Sequence, residues 1–238
     1  MPAAVEFADV LVANYNRWLY SMVRPFLGQR VFELGAGTGR FSRFLLNEKF
    51  PFLLLLEPSP VFLQSLSSLV PGKENVLLIH SDIESFERPD LYGSFDSIIS
   101  IQVFEHIEND EETIARASHY LRPGGKIILQ VPAMEWLFGH WDKQIGHFRR
   151  YTKKDAIRLA KAGSMKIVQT FYFNLPGTIA WYINFCLLKK DFREKEGAKS
   201  LGKQGIFFDK WIVPLISTCE KIFHPPFGIG LQIVMEKL

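Results

Sequence analysis

The chain is poor in cysteine. Cys186 and Cys219 are the only two in 238 residues, too few for a disulfide framework or a thiolate metal cluster. A reducing compartment fits this usage, and a cytoplasmic location is expected. The opening residues, Met-Pro-Ala-Ala-Val-Glu-Phe-Ala-Asp, lack a basic start followed by an apolar run, so no signal peptide is expected. No stretch reaches the ~18 uninterrupted apolar residues of a membrane span; Asn174, Pro176 and Asn184 break the best candidate. Charge of one sign is scarce too. Against 28 Lys and Arg stand 25 Asp and Glu, a net +3, which gives no reason to expect a nucleic-acid partner. The surplus is local: residues 189–221 hold eight basic and five acidic residues among large apolar ones. With 47% hydrophobic and 22% charged residues, disordered, collagen-like and low-complexity classes are excluded.

What is present is an alternation of short apolar runs and amphipathic stretches, without an internal repeat. Val31–Leu34, Phe52–Leu56, Val76–Ile79, Phe95–Ile101 and Lys126–Val131 read as strands covered on both faces. Arg40–Asn47, Pro60–Leu69 and Asp110–Leu121 read as helices between them. This order implies an α/β fold, a doubly wound parallel sheet with helices on both sides. Thr152 and Asp155 make a capping-box pattern for a further helix over Lys153–Ala162, which Gly163 stops. Met165–Phe173 and Phe227–Glu236 read as a sixth and a seventh strand. The whole chain, 1–238, is expected to form one domain. It comprises N-terminal helices over 1–29, a core over 30–173, a helical cap insertion over 174–226 and the last strand over 227–238.

The first strand runs into Glu33-Leu34-Gly35-Ala36-Gly37-Thr38-Gly39. Alternate glycines permit a sharp turn and a close approach of ligand to backbone, at the place where doubly wound sheets bind nucleotides. A dinucleotide fingerprint would put its third glycine at position 40, where Arg40 stands. Glu33 beside the loop disfavours a pyrophosphate and favours a cofactor carrying an ammonium group. Glu57, followed by Pro58, closes the second strand, where a carboxylate can accept from both hydroxyls of a ribose. Asp82 closes the third strand and is placed to take an exocyclic adenine amine, with Ile83 against the ring. Gln102, Val103 and Phe104 end the fourth strand, facing the reactive centre. Taken singly, Glu57 and Asp82 read equally well as ordinary strand-end carboxylates.

In series, Glu-Leu-Gly-Ala-Gly-Thr-Gly, the acidic end of strand two, Ser-Asp-Ile, Phe-Asp-Ser-Ile-Ile-Ser and Leu-Arg-Pro-Gly-Gly-Lys resemble the motifs of class I S-adenosylmethionine-dependent methyltransferases, from about Arg30 to Val131. The resemblance implies a mostly parallel seven-stranded, Rossmann-like sheet with an antiparallel last strand, and S-adenosyl-L-methionine as cofactor. It places Glu33 near the methionine amino group, Gly35–Gly39 along the cofactor, Glu57 at the ribose and Asp82 at the adenine.

On the acceptor side, Glu105-His106 is similar to the end of the Glu-x-x-Glu-His run with which small-RNA and quinone-precursor O-methyltransferases gather a divalent metal. Here the first position is Gln102, a poorer ligand, and no metal is expected. His106 is a candidate base or substrate contact. The loop after strand five concentrates His140, Asp142, His147, Arg149 and Arg150; His140 with Asp142, or His147, are candidate bases, and Arg149 or Arg150 a grip for phosphate or carboxylate. Its His-Phe-Arg-Arg-Tyr-Thr run resembles a subgroup of uncharacterised bacterial methyltransferases that accompany polysaccharide and polyprenyl-lipid pathways. A small-molecule or lipid-linked saccharide acceptor, methylated at oxygen, is the expectation. Aromatics beside lysines in the insertion suit a cap on the sheet, a dimer face or peripheral membrane contact. The rival functions are a catalytically silent binding or scaffold protein and, against the glycine spacing, a nicotinamide oxidoreductase.

Overall fold

The structure is a computed structural model and describes residues 12–189 and 202–238. The start of the expected N-terminal helical segment, 1–11, and the charged middle of the insertion, 190–201, lie outside the described residues. Helix α1 (Ala13–Val23) leads into β1 (Arg30–Leu34), α2 (Ser42–Leu46), β2 (Phe52–Glu57), α3 (Pro60–Ser67), β3 (Val76–His80) and β4 (Phe95–Ile101). There follow α4 (Asp110–Tyr120), β5 (Leu121–Pro132), α5 (His140–Gln144), α6 (Lys153–Ala162), β6 (Met165–Phe173), α7 (Leu175–Trp181), α8 (Val213–Cys219) and β7 (Gly230–Lys237). The seven strands form one sheet in the order β3-β2-β1-β4-β5-β7-β6. Strand β7 is antiparallel to both neighbours, and the pairs among β1 to β5 are parallel.

The apolar runs lack alternation in sequence because each strand feeds two cores. Phe32, Leu34, Leu54, Leu56 and Ile98 bury in one cluster, while Val31, Leu53, Leu55 and Ile99 bury in the other. Period two is therefore kept between faces, and each such side chain contributes about 1.5–3 kcal/mol by leaving water. The second cluster is closed by α1 through Trp18, Leu19 and Val23.

Several boundaries differ from the sequence reading. Strand β5 starts at Leu121 rather than Lys126, because Leu121 is already extended and the Arg122–Gly125 segment is absorbed at a register irregularity opposite Phe95–Ser97. Strand β7 starts at Gly230 rather than Phe227, and α2 is shorter at both ends than expected. The capping box of α6 forms as read, with the Asp155 carboxylate accepting from the Thr152 amide at 2.9 Å and from its hydroxyl at 2.7 Å.

The insertion is helical where it is described. Asn174 sits at φ +62° and its side chain accepts from the Gly177 amide at 2.9 Å, starting α7. That helix runs on as a π-helical segment over Tyr182–Leu187. A second helical stretch covers 202–207, a π-helical turn Phe208–Ile212 and α8. Its Asp209 caps α1, accepting from the Asn14 and Tyr15 amides at 3.1 and 2.7 Å. Among the described residues no helix is long and apolar enough to cross a membrane.

Candidate active site

At the carboxyl end of β1 the chain turns three times through positive φ, at Gly35 (+77°), Gly37 (+57°) and Gly39 (+82°). The three glycines do different things. A Cβ on Gly35 would lie 2.5 Å from a Val103 methyl, so this position is glycine for packing. A Cβ on Gly37 would meet nothing within 4 Å, so this backbone faces open space. Gly39 turns instead towards Leu66 and Leu69 of the α3 region. The Gly37 amide donates to Glu57 at 2.6 Å, and the other Glu57 oxygen accepts from the Ser59 amide at 2.8 Å. Each carboxylate oxygen keeps lone-pair capacity for an outside hydroxyl.

These groups border a cavity of about 300 Å³ beyond the carboxyl ends of the strands. Of the residues singled out in the sequence, it brings together Glu33, Gly35, Ala36, Gly37 and Thr38 from the loop, Glu57 and Pro58 from β2, and Gln102, Val103 and His106 after β4. Arg40, Phe41, Phe62 and Ile101 also line it and were not foreseen. Four residues expected at the cofactor do not line it, and neither do His140, Asp142, His147 and Arg149 of the expected acceptor set. Gly39 is turned to α3. Phe104 and Ile83 are buried in the core. Asp82 accepts from the Ser85 amide at 2.6 Å, a bond that holds its carboxyl below the usual range.

Glu33 is buried and accepts from the Ser42 hydroxyl at 2.6 Å. Burial pushes its carboxyl up to about 8; the Ser42 bond opposes this and the charge of Glu57 adds to it. A cationic group entering the cavity would relieve both burdens, since an opposite charge restores the ionised form. Bare backbone at Gly37, a ribose-competent Glu57 and a carboxyl needing a cation fit the cofactor that the motifs imply.

A short 3-10 helix, Phe104–His106, carries the next wall. His106 Nδ1 lies 3.2 Å from the Gly146 carbonyl. A carbonyl only accepts, so Nδ1 donates and the lone pair rests on Nε2. Burial and the neighbouring His147 hold His106 below its usual range, favouring the neutral ring. His147 belongs to the loop after α5, and its ring centroid lies 4.7 Å from that of His106. Its Nδ1 meets the Asp142 carboxylate at 3.0 Å. Asp142 is fully buried; burial raises its carboxyl, but bonds from His147, from Arg150 at 2.9 Å and from the Gly139 amide at 3.0 Å hold it below the usual range. It stays ionised and fixes the His147 tautomer with Nε2 free to accept. That Nε2 stands 3.9 Å from Glu105.

Glu105 is 1% exposed, and neither of its carboxylate oxygens has a hydrogen-bond partner. Burial pushes its carboxyl up to about 8. The sequence reading passed over Glu105 as a site residue, although its place beside His106 at the end of β4 was the available signal. It also paired Asp142 with the wrong histidine. His140 is exposed and bonds Gln144. Arg149 donates to the Glu108 carbonyl at 2.6 Å and pairs with Asp110 at 2.9 Å, outside the cavity. Arg150 is buried on Asp142, 4.5 Å from the Trp181 ring, so it ties the loop to the insertion.

Residues 32–129 match the methyltransferase domain family. An uncharacterized methyltransferase of Geobacillus kaustophilus is 33% identical over 125 residues, 52% of this chain and 55% of that protein. A tRNA U34 carboxymethyltransferase of Pseudoalteromonas translucida is 29% identical over 116 residues, 48% of this chain and 35% of its own length. The match thus spans between a third and about half of these curated relatives. Among solved structures, an S-adenosylmethionine dependent methyltransferase of Mesorhizobium loti superposes with a TM-score of 0.62 at 13% identity, covering 92% of this chain and 98% of that one.

Proposed function

Starting from a chain that carries a class I S-adenosylmethionine-dependent methyltransferase domain, we propose that it transfers the methyl group to an oxygen of a small-molecule or lipid-linked saccharide acceptor. When bound, the cofactor supplies an activated sulfonium methyl. The protein then has to align, desolvate and unburden the acceptor oxygen of its proton. We assign the cofactor to Glu33, the Gly35–Thr38 backbone and Glu57, with Val103 against its reactive end. We assign the acceptor oxygen to His106 and His147.

The observation that carries this reading is the Asp142–His147 pair, at 3.0 Å, set beside a histidine that lines the glycine-loop cavity. It sets an imidazole oriented by a buried carboxylate beside the wall of the cavity to which we assign the donor. Support for a lipid-linked acceptor comes from the insertion. Phe207, Trp211, Leu215 and Phe223 are exposed there, with the Lys210 ammonium 5.1 Å from the Trp211 ring, a composition suited to a membrane surface.

The test is to incubate the protein with methyl-tritiated cofactor and extracts, then separate butanol-soluble, aqueous small-molecule and acid-precipitable fractions. Label in either of the first two, released by mild hydrolysis of an ester or retained as an ether, is expected. Label confined to precipitable RNA or protein overturns the acceptor class. No label anywhere, with cofactor bound, favours the silent scaffold.

A further inference from the structure

We infer that Glu105, His106 and His147 form a site for one divalent transition-metal ion at the acceptor end of the cavity. One ligand atom from each lies within 4.8 Å of the other two. Donors about 2.0–2.2 Å from a shared zinc-sized ion stand roughly 3–3.5 Å apart, so a contraction of at most about 1.3–1.8 Å closes the site.

Two further features separate this cluster from a chance gathering. Both imidazoles are anchored through Nδ1, one by the Asp142 carboxylate at 3.0 Å and one by the Gly146 carbonyl at 3.2 Å. Each therefore keeps its Nε2 lone pair for a ligand, the arrangement by which outer partners orient metal-binding histidines. The third donor, Glu105, is buried with both oxygens unpartnered. His147 does not satisfy it, because 3.9 Å is too long for a hydrogen bond. A cation between them satisfies both at once.

One carboxylate and two imidazoles suit manganese, iron, cobalt, nickel or zinc; magnesium and calcium prefer oxygen throughout. The neutral Gln102 at the head of this segment counted against a metal in the sequence. The fold supplies His147 from 41 residues beyond His106 as the missing donor. Among the described residues three protein ligands converge, and exposed His106 lies on the cavity wall, so the open positions face the acceptor.

On the methyltransferase reading, on which this step rests, those positions hold an acceptor presenting two adjacent oxygens, such as a vicinal diol or a hydroxy acid. The ion's charge acidifies the bound hydroxyl, whose proton leaves to water. The oxygen–methyl bond forms as the sulfur–methyl bond breaks, and its electron pair stays on sulfur as a neutral thioether.

The experiment is calorimetry and thermal shift on chelator-treated full-length protein, titrated with Mn²⁺, Co²⁺ or Zn²⁺ and with Mg²⁺ for contrast. Wild type is expected to bind one transition ion and gain thermal stability. Glu105→Gln and His106→Gln are expected to weaken that binding at least 50-fold, while His140→Gln, outside the cluster, binds as wild type. Should Glu105→Gln fail to fold, exposed His106 decides. Absence of stoichiometric binding, or equal affinity in the folded variants, overturns the site. Cofactor titrations run in parallel keep the two readings apart: cofactor bound without any ion sinks only the metal, and an ion bound without cofactor sinks only the methyltransferase.

Discussion

Gly37 and Glu33 show how much rests on single residues. The Cβ that Gly37 lacks would point into open space at φ +57°, so a side chain there starts into the cavity and fills the ligand's path. Gly37→Val should abolish cofactor binding. The left-handed backbone is unfavourable for a branched residue by about 1–2 kcal/mol, and so the fold should survive. Calorimetry showing wild-type affinity in the folded variant would reject the placement. Glu33 adds a pH dependence. Its folded carboxyl titrates at about 8 against 4.5 for the free group. Between these values the folded state holds more protons than the unfolded one, so its contribution to stability falls as pH rises through that window. An ammonium bound beside Glu33 favours the ionised form, so cofactor binding at pH 7 should release a proton from this residue. Glu33→Gln should remove that release and flatten the fall in stability. Calorimetry in buffers of different ionisation enthalpy measures it, and identical release in both proteins refutes the contact.

The loop between β5 and α6 shows the same economy in one element. Helix α5 is five residues long, and it turns Asp142 inward to cap Gly139 while the chain returns to set His147 and Arg150 on the same carboxylate. Asp142 is therefore both a tautomer clamp and the counter-charge of a buried guanidinium. His147→Ala leaves the Asp142–Arg150 pair intact; it should lower turnover by about 10²-fold or more, with cofactor affinity within about 3-fold. Asp142→Asn strands the Arg150 charge in the interior, a loss of about 3–5 kcal/mol, and should show as a large fall in melting temperature before any effect on rate. A His147→Ala enzyme as active as wild type on an authentic acceptor would remove this loop from the chemistry.

At the scale of the molecule, what the sequence revealed was what is local. The turn at Gly35–Gly37, Glu57 at the end of β2 and the capping box of α6 are written in neighbouring residues, whereas Asp82 turns to the Ser85 amide and Gly39 to Leu66 and Leu69. The place of Glu105 beside His106 is legible, but its burial without a partner is not, because that exists only once the loop carrying His147 and Phe148 closes over it. The choice of His147 over His140 depends on which way α5 rolls, which spacing does not dictate. The tie between the N-terminal helix and the sheet was equally hidden. Gln130, fully buried in β5, donates to the Leu19 carbonyl of α1 at 3.1 Å and to Gln232 of β7 at 2.8 Å, and Gln232 donates on to the Met22 carbonyl at 3.1 Å. This ladder joins segments more than 200 residues apart and holds α1 over the second core. Gln130→Leu would leave the Leu19 carbonyl and the Gln232 amide oxygen short of a donor, each costing about 1–3 kcal/mol. It would also delete the unpartnered Gln130 carbonyl oxygen, which offsets part of that. The net expectation is a loss of about 2 kcal/mol, or roughly 4–8 °C in melting temperature for a chain of this size. Because Gln130 lies outside the cavity lining, cofactor affinity measured below the transition should stay unchanged. A variant as stable as wild type would mean that packing of Trp18, Leu19 and Val23, rather than the polar ladder, holds α1 in place.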